Sequence, residues 1–297
     1  MVIVQDLAEK ELNKRIEALY SLLEECTLCP RKCRVNRLKG KKGFCGMARK
    51  PMISSYSPHF GEEAELVGLC GSGTIFLTGC NLHCVYCQNY DISNLGVGDE
   101  IGVERFSDIM MELQNMGCHN INFVTPTHFT PQIIEAVALA KEKGLSRPLV
   151  YNCGGYEELD TLKLLSGIID IYMPDAKYSS GAMAKRYSNA PDYPEVARKA
   201  LKEMHAQVGD LVVNEHGVAV KGLLVRHLVL PNEMAGTKEW MHFISTEISK
   251  DTYVNIMDQY RPCFDAVNFP EIDREITRDE YFDAIKIARS EGLRRGF

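Results

Sequence analysis

The sequence predicts an α/β fold of parallel strand–helix–strand units, and three observations carry that expectation. From about residue 70 onward, short apolar runs alternate with helical stretches, the pattern of βαβ units with right-handed crossovers. Five of the six runs stop at polar or glycine residues, as strands of a parallel barrel do where they enter loops over the open mouth. With 297 residues, 45% hydrophobic and 25% charged, the chain is long and apolar enough to bury a sizeable core.

Taken in order, residues 5 to 25 read as an amphipathic helix, because Leu12, Ile16, Leu19 and Leu23 recur at steps of three and four. A Gly- and Lys-rich segment with four cysteines follows, and then an expected linker from Tyr56 to Glu63. Strands are expected at 74–79, 120–125, 148–152, 168–173, 223–230 and 252–257, from apolar runs bounded by turn residues. Helices are expected at 105–116, 131–143, 157–166, 181–207 with a break near Pro191 and Pro194, 237–249 and 277–291. Residues 1–69 therefore read as an N-terminal helix plus Cys-rich segment, and 70–297 as the main domain. Six strand–helix units are too few for a closed eight-fold barrel.

The first strand runs into Cys80-Asn-Leu-His-Cys84-Val-Tyr-Cys87. Three thiolates can hold three irons of a cubane and leave the fourth iron open, whereas electron-carrier sites use four. Half of a zinc site, or reduced core thiols, is the alternative, although zinc sites draw on Cys-x2-Cys pairs and close four-coordinate, and His83 is the one further ligand on this loop. The other strands end at Thr125-Pro-Thr-His128, Asn152-Cys-Gly-Gly155, Asp175-Ala-Lys177 and Asp258-Gln-Tyr260. The fifth strand contains Arg226 and His227, one of which must point inward by alternation; a buried Arg there requires an anionic partner.

Cys-x3-Cys-x2-Cys with Tyr86 before its last cysteine resembles the signature of the radical S-adenosylmethionine (SAM) enzymes. The run from Gly71 to Tyr90, together with Asp175-Ala-Lys177, is similar to the pyruvate formate-lyase activating enzyme-like branch of that superfamily. The resemblance covers most of the chain from about residue 54 onward. It implies a partial (β/α)6 TIM-like barrel with a [4Fe-4S] cluster on Cys80, Cys84 and Cys87. The open iron would chelate SAM, and reductive cleavage would give a 5'-deoxyadenosyl radical. It further implies that Asp175 and Lys177 help hold SAM, as a carboxylate and an ammonium can. By position Asn152 would face the ribose and Tyr86 the adenine, with Arg226 among the cofactor contacts. The branch's Gly-Gly-Glu-type motif after the second strand is missing here, so Thr125 or Thr127 would take the SAM amino group; His128 is open between substrate and core.

The target implied is the glycine Cα of a partner glycyl radical enzyme. A small molecule or protein side chain as target, or a non-catalytic iron–sulfur or zinc module, are the competing readings. An electron donor such as flavodoxin or ferredoxin belongs to the same picture. Cys26-x2-Cys29-x3-Cys33-x11-Cys45 would suffice for zinc or an auxiliary iron–sulfur cluster. Cys70, Cys118, Cys153 and Cys263 read as small apolar fillers. The net charge of −6 disfavours a broad nucleic-acid surface, and the basic run from Arg31 to Lys42 reads as a solvated loop. The early charges and the absence of a bilayer-length apolar run lead to the expectation of a reducing cytoplasm without membrane attachment.

Overall fold

The computed structural model describes residues 7–297. Helix α1 (Glu9–Ser21) leads into the Cys-rich loop, strand β1 (Met52–His59), short helix α2 (Ala64–Val67) and strand β2 (Ser72–Leu77). After the triple-cysteine loop come α3 (Tyr90–Ser93), β3 (Asp99–Glu100), α4 (Val103–Asn115), β4 (Ile121–Val124), α5 (Thr130–Glu142), β5 (Leu149–Cys153), α6 (Leu159–Leu164) and β6 (Ile171–Pro174). The last third holds α7 (Gly181–Ser188), α8 (Tyr193–Val208), β7 (Val212–Val213), β8 (Ala219–Leu228), α9 (Thr237–Phe243), β9 (Tyr253–Met257) and α10 (Arg278–Ser290).

Strands β2, β4, β5, β6, β8 and β9 pair in that order, all parallel, which is the expected six-stranded partial barrel. The six strands overlap the six apolar runs because they are largely buried on both faces, by helices outside and by the barrel interior within, with only β9 alternating between buried and half-buried residues. The break near Pro191 is where α7 ends on Asn189, a left-handed cap with φ 48°, before α8 restarts. Helix α10 starts on a capping box in which Thr277 and Glu280 satisfy each other's backbone N–H.

Two expectations are corrected. The segment read as a linker from Tyr56 is the second half of β1, which pairs antiparallel with β2 and extends the sheet beyond the parallel set. The first helix starts at Glu9; residues 5 and 6 of its expected span lie outside the described residues. Its apolar stripe is as read, with Leu12, Leu19 and Leu23 buried.

Most of the core lies between the sheet and its helices, while a smaller cluster of Leu66, Val150, Ile171, Met173 and Leu224 fills the barrel's lower interior. Leu66 comes from α2, so the short helix before the first parallel strand plugs the barrel. Among the described residues no helix is long and apolar enough to cross a membrane.

Candidate active site

The triple-cysteine loop leaves β2 through Gly79, whose φ of +87° and crowded surroundings admit no side chain: a Cβ there would stand 2.6 Å from the Cys45 carbonyl oxygen. Each sulfur on the loop has a polar neighbour. The Leu82 N–H donates to Cys80 Sγ at 3.3 Å, Ser188 Oγ to Cys84 Sγ at 3.0 Å, and Cys87 Sγ meets Ser93 Oγ at 3.1 Å. Burial, with Cys84 close by, pushes the Cys80 thiol up to about 12, and the same causes raise Cys87. Such thiols stay protonated unless a cation compensates, and a bound metal supplies that charge.

Facing the loop is a cavity of about 210 Å³ at the strand ends, lined by Cys80, Cys84, Tyr86, Cys87, Thr125, Asn152, Asp175, Lys177 and Arg226. Nine of the ten pocket residues expected from the sequence are thus brought together, from five separate strand ends. Lys177 Nζ lies 2.7 Å from Asp175 Oδ2, and Arg226 donates to Asp175 Oδ1 at 2.9 Å and to Asn152 Oδ1 at 2.7 Å. Burial acts to raise the Asp175 carboxyl, but Arg226 and Lys177 together overcome it and hold it below its ordinary value. The required anionic partner of Arg226 is therefore Asp175, joined from below by Glu62 at 3.9 Å and Glu63 at 4.0 Å. Burial pushes Glu62 up to about 7, against the pull of Arg226. His227, the alternate residue, points away and bonds the Ala176 carbonyl oxygen and the Thr237 hydroxyl.

Thr125 carries a φ of +60°, unusual for a β-branched residue and costing about 1–3 kcal/mol. That strain sits where the SAM amino group was expected. Thr127 is the residue that departs: it is fully buried, outside the cavity, and donates to Glu157 Oε1 at 2.7 Å. His128 is likewise a core residue, bonded to the Thr78 carbonyl oxygen and depressed to about 3 by burial. Tyr86 presents one side to the cavity, and its ring packs edge-on against Tyr178, Tyr187 and Tyr260.

Sequence reasoning missed Glu62 and Glu63, which sit in the supposed linker; the unmatched charge of Arg226 was the signal that could have found them. It also missed Gln88, whose amide donates to the Gln259 carbonyl oxygen across the gap between the first and last parallel strands at 2.8 Å; Cys153 is the buried core residue expected and also borders the cavity. Cys70 is exposed and no filler.

Residues 74–219, which contain the triple-cysteine loop and Asp175-Ala-Lys177, match the family model described as the Radical SAM superfamily. It is this segment, just under half of the chain, that is similar to a radical SAM domain. Two proteins of Methanocaldococcus jannaschii, both described as uncharacterized, are similar over most of their length. MJ0674 is 29% identical over 289 residues, 95% of this chain and 79% of that protein. MJ0808 is 23% identical over 271 residues, 82% and 73% of the two chains. Among solved structures, HydG, a maturase of the [FeFe]-hydrogenase, superposes with a TM-score of 0.52 at 12% identity over 98% of this chain, which shows the shared fold. This chain spans 57% of the length of that HydG chain. The radical SAM family implies a [4Fe-4S] cluster and SAM, and the donor set fits both: three thiols on one loop, Cys84 buried and Cys80 and Cys87 half-buried, and a carboxylate, an ammonium and a guanidinium opposite them.

The Cys26, Cys29, Cys33 and Cys45 thiols gather beside this loop and are all free. The tight tetrahedron that zinc would demand is not formed: among the described residues no three His, Cys, Asp or Glu side chains are gathered as a site for a single metal ion. Two of the basic residues around them are structural rather than solvated. Arg31 donates to the Asn81 and Ser188 carbonyl oxygens at 2.8 and 2.7 Å, and Arg37 is buried against those of Ala48 and His128.

Proposed function

We propose that this radical SAM enzyme is an oxidoreductase that activates a glycyl radical enzyme by abstracting a hydrogen atom from a glycine Cα. The observation that carries the reading is the cavity in which Cys80, Cys84 and Cys87 face Asp175, Lys177 and Arg226. When bound there, the cluster supplies one electron to SAM and so the 5'-deoxyadenosyl radical that removes the hydrogen.

The chain's own residues bind and orient. Lys177 offers its ammonium to the SAM carboxylate, while Asp175, held ionised by Arg226, accepts from the amino or ribose hydroxyl groups. Asn152 is positioned by its bond to Arg226 and leaves its amide N–H groups for the ribose. At about 210 Å³ the cavity falls below the roughly 300–1,000 Å³ of ordinary ligand pockets. Its small volume and open mouth favour a target that reaches in from outside, as an extended protein loop does. A flavodoxin- or ferredoxin-type donor would deliver the electron.

The test is anaerobic reconstitution of the whole chain, followed by dithionite and SAM. The wild type should release 5'-deoxyadenosine and the Cys80→Ala/Cys84→Ala/Cys87→Ala variant none; release by the variant would overturn the site. Addition of a glycyl radical enzyme from the same genome should give a glycyl radical doublet by EPR. Its absence, with deuterium from a labelled metabolite entering 5'-deoxyadenosine instead, would move the target to a small molecule.

A further inference from the structure

The N-terminal cysteines share the local architecture of the triple-cysteine loop. Backbone bonds fold the segment back on itself: Cys26 pairs with Val35 and Arg34 just past Cys33, the Cys29 carbonyl oxygen accepts from the Lys32 N–H, and Phe44, beside Cys45, donates its N–H to Cys33 Sγ at 3.3 Å. Three of the four thiols are buried and the fourth half-buried. Backbone N–H groups aim at three of the sulfurs: Arg31 at Cys29, Phe44 at Cys33 (3.3 Å), and Met47 at Cys45. The triple-cysteine loop does the same, with Leu82 on Cys80 and Asn89 on Cys87. A neutral thiol is a poor acceptor and gains little from such donors, whereas a metal-bound thiolate is stabilised by them.

The chain path is shaped around the sulfurs. Gly43 passes with its Cβ position 3.1 Å from both Cβ and Sγ of Cys33. Cys26 is fixed by paired backbone bonds, its N–H to the Val35 carbonyl oxygen and its own carbonyl oxygen from the Arg34 N–H. Four thiols can take either zinc or a cubane. A zinc tetrahedron with bonds of about 2.3 Å draws its sulfurs to within about 4 Å of one another. Neither cysteine set is gathered as a single-ion site. A cubane binds one thiolate at each of four separate irons, and backbone N–H groups aimed at sulfur are the device the two sets share.

We infer that Cys26, Cys29, Cys33 and Cys45 hold a second [4Fe-4S] cluster, coordinatively closed by four thiolates and seated directly against the SAM-cleaving loop. Each thiol releases its proton to solvent as its sulfur binds iron. The contact between the two sites is the Cys45 carbonyl oxygen against Gly79, the residue before Cys80. The inference rests on the triple-cysteine loop being a cluster site, and the experiment separates the two.

Whole chain, reconstituted anaerobically with ferrous iron and sulfide, is compared with Cys80→Ala/Cys84→Ala/Cys87→Ala and with Cys26→Ser/Cys29→Ser/Cys33→Ser/Cys45→Ser by iron, zinc and acid-labile sulfide content and by EPR after reduction. The wild type should bind about eight irons and the triple variant about four, with a signal unmoved by SAM. The quadruple variant, where it folds, should keep about four irons whose signal shifts with SAM. A circular-dichroism-folded triple variant with no iron, or with one zinc in place of iron, overturns the inference. If the wild type holds only about four irons and the triple variant keeps them all, the N-terminal site stands and the reading of the triple-cysteine loop has failed.

Discussion

Lys177→Ala separates ligand binding from cluster retention. The ammonium is 17% exposed and 2.7 Å from Asp175 Oδ2, with donors left over for a ligand carboxylate. Removing it leaves Asp175 paired with Arg226 at 2.9 Å, so the carboxylate stays ionised and no cysteine is disturbed. The expected loss is that of one hydrogen bond with a charged group, about 1.5–3 kcal/mol. That corresponds to a SAM Kd raised roughly 10- to 150-fold. The lower end applies if Lys177 gives up part of its bond to Asp175 when SAM arrives. The assay is anaerobic equilibrium dialysis of labelled SAM against reconstituted protein, with iron counted in the same samples. An unchanged Kd refutes the reasoning, and so does a parallel loss of iron, which would mean that Lys177 acts on the loop's fold rather than on the ligand.

Glu157→Gln should flatten part of the pH dependence of stability. Burial lifts Glu157 from 4.5 to about 8, so the folded chain keeps a proton that the unfolded chain releases, and stability falls as pH rises through that window. At about 1.4 kcal/mol per pKa unit, the whole window is worth on the order of 5 kcal/mol. His128 and His227, depressed by burial to about 3 and about 4, work oppositely at lower pH, gaining stability as pH rises toward 6.5. Glu62, raised to about 7, titrates in the same direction, so urea unfolding between about pH 7 and pH 8 compares the wild type with Glu157→Gln; a variant whose stability falls as steeply as that of the wild type contradicts the assignment. Thr127→Val, which removes the donor to Glu157, should lower stability by about 1–3 kcal/mol and leave SAM affinity unchanged, and a weakened SAM Kd would restore Thr127 to the site.

The parallel strands were legible because burial on both faces makes them uninterrupted apolar runs, and the cavity was legible because such strands deliver their last residues to one mouth. Strand β1 was not. Met52–His59 buries only Ile53, alternates elsewhere between half-buried and exposed positions and contains three serines and a proline, so its sequence reads as a loop; pairing with β2 makes it a strand. Thr125 and Thr127 are chemically identical two positions apart. A positive φ at the first and a 3-10 turn at the second send one to the cavity and the other to the core, and no side-chain pattern encodes that choice. Glu62 and Glu63 were hidden because their partner, Arg226, lies some 160 residues away and is reached only after the barrel has curled.

The triple-cysteine loop is gripped from both ends of the chain. Arg31 holds the Asn81 carbonyl oxygen from one side; from the other, the Asp265 N–H bonds the Val85 carbonyl oxygen at 2.9 Å, and Tyr260 packs on Tyr86. Gln88 reaches 171 residues forward to Gln259. During synthesis, the three thiols emerge long before the segment that fixes their spacing. The order of assembly follows: the barrel must close before this loop has its final shape, and iron and sulfide delivered to a ribosome-bound fragment would meet three cysteines on an unpinned tether, free to bind in other ways.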